Sequence, residues 1–147
     1  MNDEARTQSP PTPPICYTAI RDEAIRAELA RSLAQLGWRV VERPTGFHIV
    51  QELADVILER APAPPVGLLV VDEPSHGCRG SSIARGLREL GIQVPVTVVA
   101  PPEVAPPEAP DERIYVVEPG LAALTVPAIA RYHHAGDASR IGERAVA

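Results

Sequence analysis

Val66-Gly67-Leu68-Leu69-Val70-Val71 decides the fold, because it is apolar at every non-glycine position and ends against Asp72. A strand with one wet face alternates apolar and polar residues, whereas a strand covered on both faces reads as one apolar run. Residues 66–71 therefore predict the central strand of a sheet with helices on both sides.

The segments on either side of it repeat a strand-then-helix rhythm. Residues 15–20 form a short buried strand, and Asp22 is placed to cap a helix whose stripe is Ile25, Leu29, Leu33 and Leu36, closed by Gly37. A second strand covers 38–42. After the turn Pro44-Thr45-Gly46, residues 47–60 carry Ile49, Val50, Leu53, Val56 and Ile57 on one helical face. Beyond the central strand, Ser82 is placed to cap a helix with the stripe Ile83, Leu87 and Leu90, and Gly91 ends it before the strand Val96–Val99. A last strand, Ile114–Val117, leads to an apolar segment holding Leu121, Leu124, Ile129 and Tyr132, which begins as a helix near Thr125 or bends at Pro127. Strands alternating with helices predict a three-layer, doubly wound α/β domain with five parallel strands and right-handed crossovers.

Composition narrows the function classes. The chain has 147 residues, room for one domain with a proper core. Residues 1–14 form a Pro-rich tail too polar to fold, residues 15–132 are the domain, and 133–147 read as a flexible polar tail. Residues 101–110 hold several prolines, so the helix expected between the last two strands is missing or degenerate. All 14 basic residues are arginine, and the net charge of −5 provides no basic field for a nucleic acid. No apolar run reaches the roughly 20 residues needed for membrane insertion, and the polar start argues for a cytoplasmic protein. Cys16 and Cys78 read as reduced thiols without a metal site.

The ordered set resembles the receiver domain of bacterial response regulators, the flavodoxin/CheY-like fold, over residues 15–132. The resemblance rests on Leu68-Leu69-Val70-Val71-Asp72, on Gly77 and Gly80 in the loop that follows, on Pro95-Val96-Thr97-Val98-Val99, and on Tyr115-Val116-Val117-Glu118-Pro119. It implies strand order 2-1-3-4-5, a phosphoacceptor position at Asp72, and a switch-aromatic position at Tyr115. The family's acidic magnesium pair falls near Ile20 and Arg21, leaving Asp22 and Glu23 as possible residual metal-site residues. Its hydroxyl residue falls at Ala100, which has no donor, and its lysine falls at Glu118, which reverses the charge. The absence of lysine means that no realignment restores that cation.

Single features also have plainer readings. Asp72 can simply cap the following loop. The loop 77–82, with Gly77, Arg79 and Ser82, can bind an anion through its amides or be a glycine-rich turn. His76 lacks a second histidine at ligand spacing, His133 and His134 point apart on a helix and are expected in solvent, and Tyr17, Trp38 and Phe47 are expected to pack the core or its rim. The expected function is a non-catalytic pseudo-receiver, needing no cofactor. It binds another signalling or regulatory protein, or itself as a homodimer, without phosphorylation. One alternative is a divergent two-component receiver phosphorylated on Asp72 with magnesium held by Asp22 or Glu23. Another is a small-ligand or anion sensor using the 77–82 loop.

Overall fold

The computed structural model of the chain describes residues 13–58, 66–75, 78–101 and 113–146. The expectations for the Pro-rich tail and for residues 101–110 fall almost wholly outside these residues, as do His76 and Gly77 of the glycine-rich loop.

The element order is β1 (Ile15–Ala19), α1 (Glu23–Gln35), β2 (Arg39–Glu42), α2 (Gly46–Ile57), β3 (Val66–Asp72), β4 (Pro74–Ser75), β5 (Cys78–Arg79), α3 (Gly80–Glu89), β6 (Val96–Val99), β7 (Ile114–Val117), a 3-10 turn (Pro119–Leu121) and α4 (Ala122–Val146). The main sheet has five parallel strands in the order β2-β1-β3-β6-β7, which is 2-1-3-4-5 once the short β4–β5 pair is set aside. β3 is central, as its apolar run requires.

Its two faces carry separate cores. Tyr17, Leu69, Val71, Val96 and Val98 pack against Ile49 and Leu53 of α2 and Ile83 and Leu87 of α3. Cys16, Leu68 and Val70 pack against Leu29 and Leu33 of α1 and Val126 and Ile129 of α4. Each fully buried leucine stabilises the fold by about 1.5–3 kcal/mol relative to exposure, so these stripes, rather than helix propensity, hold the outer layers.

The helix ends follow from local chemistry. Asp22 caps α1 by accepting from the Ile25 N–H at 3.0 Å, and Thr45 caps α2 from its side chain. α1 ends in a Schellman turn: Gly37 has φ of +86°, its N–H donates to Ala34, and the Trp38 N–H donates to Leu33. α3 ends the same way, with Gly91 at φ of +81° and the Ile92 N–H donating to Leu87. The Arg88 guanidinium donates to the carbonyls of Ile92 and Arg113, and that of Arg113 to Gln93, which ties this corner to the start of β7.

Several boundaries differ from the sequence reading. β2 starts at Arg39 because Trp38 belongs to the preceding turn, and α2 begins at Gly46. α3 starts at Gly80, so Ser82 is inside the helix instead of capping it, after a two-residue antiparallel pair too short to leave a sequence pattern. Leu90, placed in a core stripe, and Phe47, expected at the core or its rim, are both exposed, Phe47 at 64%. α4 begins at Ala122 and passes through Pro127, where the missing donor falls in the second turn and the buried Val126, Ile129 and Ala130 hold the helix in place. Leu121, Leu124 and Tyr132 face outward, because the small Ala122 and Ala130 fill the buried positions instead. The helical backbone of α4 runs on past Tyr132 to Val146.

The amino end of the sheet is closed by aromatic packing. β3 carries one extra residue opposite β1, Gly67, since Ile15 pairs with Val66 and Cys16 with Leu68. The Trp38 ring lies over this glycine so closely that an added Cβ would come within 2.7 Å of it. His134 meets the same ring edge-on, with centroids 6.1 Å apart. His133 is hydrogen-bonded through Nε2 to the Tyr115 hydroxyl at 2.6 Å. His133 therefore departs from the solvated position expected of it, whereas His134 is exposed as expected and touches the Trp38 ring only at its edge.

Candidate functional site

The carboxyl end of the sheet holds an open cleft of about 250 Å³, lined by Arg21, Asp22, Ile25, Asp72, Val99, Pro101 and Pro119. It forms because the loop from β1 to α1, the end of β3 and the turn after β7 converge there, as crossovers of a parallel sheet dictate.

Asp72 is held by the neighbouring loop. Its Oδ2 accepts from the main-chain N–H of Arg21 at 2.6 Å, a contact spanning 51 residues of sequence. The aspartate thus fastens the loop after β1, where the plain sequence reading had it capping the loop after its own strand. Burial pushes the Asp72 carboxyl above the ordinary aspartate range; the Arg21 amide and guanidinium pull it back, and the Asp22 charge adds to the rise. Asp22 reaches the cleft too, while its Oδ1 caps α1. The loop is braced further by Arg26, which donates to the Ile20 carbonyl and pairs with Glu42 at 3.3 Å.

Of the sequence-predicted positions among the described residues, Asp22 and Asp72 come together and the others do not line this cleft. Glu23 is exposed on the first turn of α1. Ala100 is buried in the core on the α2–α3 side, and its N–H donates to Val117. Glu118 is exposed at the start of the 3-10 turn without a side-chain capping bond, and the adjacent Pro119 is what walls the cleft. Tyr115 is half-buried on β7, level with Thr97 and Val70 and two residues before the Val117 that aligns with Val99 and Asp72, and it is bonded to His133. Arg21 was noted in sequence only as a departure from an acidic pair; its main-chain amide carries the contact, and a backbone donor leaves no residue signature.

A second polar cluster lies beyond β2. Arg43 pairs with Glu52 and its guanidinium lies 5.6 Å from the Tyr17 ring centroid. Hydrogen bonding from Arg43 holds the Glu52 carboxyl below its usual range. These groups satisfy one another and brace β2 against α2.

Among the described residues no three His, Cys, Asp or Glu side chains gather as a metal-holding group. Magnesium, which the fold family implies, demands near-octahedral oxygen ligands. Here one Asp72 oxygen already accepts from an amide, one Asp22 oxygen caps a helix, and a guanidinium lines the same cleft. That donor set fits a dication poorly. No helix of the described residues is long and apolar enough to cross a membrane.

No family model and no curated protein matches the chain. Solved structures do. A response regulator receiver domain from Bacillus halodurans superposes with a TM-score of 0.64 at 17% identity, covering 83% of this chain and 97% of that one. The signal receiver domain of a LuxO repressor protein from Vibrio parahaemolyticus gives 0.61 at 10% identity, covering 87% and 98%. The receiver domain of the Francisella response regulator 1452 gives 0.56 at 13% identity, covering 81% and 98%. Likeness at this level of identity establishes the architecture: the chain has the receiver-domain fold.

Proposed function

We propose that the protein is a pseudo-receiver: a non-catalytic signalling domain that acts through protein contact without phosphorylation. The observation that carries this reading is the bond from the Arg21 amide to Asp72, which commits the would-be acceptor carboxylate to holding the fold. Three further features support it. The cleft contains an arginine where magnesium chemistry needs carboxylates, Ala100 directs no hydroxyl into it, and Glu118 supplies negative charge beside it where a transferring phosphoryl group needs positive charge. Four large apolar side chains, Val116, Leu121, Leu124 and Tyr132, are exposed on β7, the 3-10 turn and α4, as contact with another regulatory protein or a second copy would use.

A receiver phosphorylated on Asp72 is the second reading, favoured by one observation: Asp22 and Asp72 share a cleft. Thermal unfolding with magnesium and beryllofluoride separates the two. An unchanged melting temperature is expected, and a concentration-dependent rise would replace the first reading with the second.

A further inference from the structure

The Tyr115 hydroxyl lies on β7, an edge strand of the main sheet, and its partner His133 lies on α4, eighteen residues later in the chain. The two rings also meet edge-on with centroids 5.6 Å apart, and the exposed Tyr132 ring stands nearly perpendicular to His133 at 5.2 Å. Burial, with a smaller contribution from Tyr132, pushes the Tyr115 phenol above its ordinary range, so it keeps its proton across physiological pH. A protonated phenol and an imidazole nitrogen at this distance form a directional bond. Tyr115 does not line the Asp72 cleft, although it stands only two residues before Val117, which aligns with Val99 and Asp72.

We propose that His133 is a latch: its bond to Tyr115 fixes α4 against β7 and sets the position of Tyr132, so that this surface stays formed whatever happens at Asp72. The latch rests on the phosphorylation-independent reading in one respect, since it supplies what keeps a contact surface assembled without a phosphoryl group. His133 acts here as a positioning residue.

Two measurements on the full chain test it. In thermal unfolding, Tyr115→Phe and His133→Phe each remove one end of the bond and keep the ring, and each is expected to lower the melting temperature by about 2–6 °C. The double variant should fall no further than the single ones. In 15N spectra taken near pH 8, above the ordinary histidine range of about 6.5, Tyr115→Phe should change the tautomer populations of the His133 ring. A merely space-filling role would leave the tautomers alone. Additive melting shifts, or identical His133 tautomers with and without the hydroxyl, overturn the latch. Failure of the underlying reading looks different: magnesium with beryllofluoride raises the melting temperature of the unaltered protein while the Tyr115 and His133 effects remain non-additive.

Discussion

The two ends of the sheet solve opposite problems. At the carboxyl end, polar groups surround an open cleft and are secured mostly through main-chain partners, Arg21 for Asp72 and Ile25 for Asp22. At the amino end, the Trp38 ring closes over Gly67 with His134 against its edge, and Trp38 is only 6% exposed. In this chain the end that carries chemistry in an α/β sheet is tied up by its own loop, while the opposite end has become the better-packed one. Stability should therefore be far more sensitive to change at the amino end.

The largest effect is expected from Trp38→Ala, which empties the space over Gly67 and removes the anchor of His134. Truncating a buried tryptophan costs about 3–5 kcal/mol, a fall in melting temperature of roughly 10 °C or more. Gly67→Ala should cost about 1–3 kcal/mol through overpacking against the same ring, and much less when Trp38→Ala is already present. If the two substitutions were additive, the close approach would not be what fixes glycine there.

At the carboxyl end the effects should be smaller. Asp22→Ala removes the cap of α1 and should cost about 1 kcal/mol, measurable by denaturant unfolding, with Asp22→Asn close to the original. A loss comparable to Trp38→Ala would erase the contrast between the ends.

Asp72→Asn tests the sign of a charge effect. The Asp72 carboxyl titrates above its ordinary range in the folded protein, so the folded state binds that proton more tightly than the unfolded chain does. The protonated form is the favourable one: its contribution is complete below the ordinary aspartate value of about 3.9 and is lost as pH rises through the folded value. Asp72→Asn, which stays neutral and still offers an oxygen to the Arg21 amide, should slightly raise the melting temperature at pH 7. That gain should vanish near pH 3.5. A drop at neutral pH would mean that the ionised carboxylate is needed.

Much of the fold was legible because burial on two faces writes itself as apolar runs, as in β3 and β6, and because Asp22, Gly37 and Gly91 mark helix ends with side-chain or φ chemistry that few other residues supply. Asp72 at the end of β3 was legible for the same reason. The partners of these groups were not. An amide donor belongs to every residue but proline, so nothing distinguished Arg21 as the one that meets Asp72. His133 looked solvated because a helix places neighbours about 100° apart, and only the tertiary arrangement puts the Tyr115 hydroxyl in front of it, while His134 is exposed as it looked. Leu121 and Leu124 misled for a related reason, since Ala122 and Val126 offer an equally regular stripe of smaller residues.

Trp38 is the only tryptophan in the chain, and it sits where the start of β2, the extra residue of β3 and His134 of α4 meet. The protein thus contains its own optical reporter: the colour and intensity of its ultraviolet emission register whether α4 lies against the amino end of the sheet, without any attached dye.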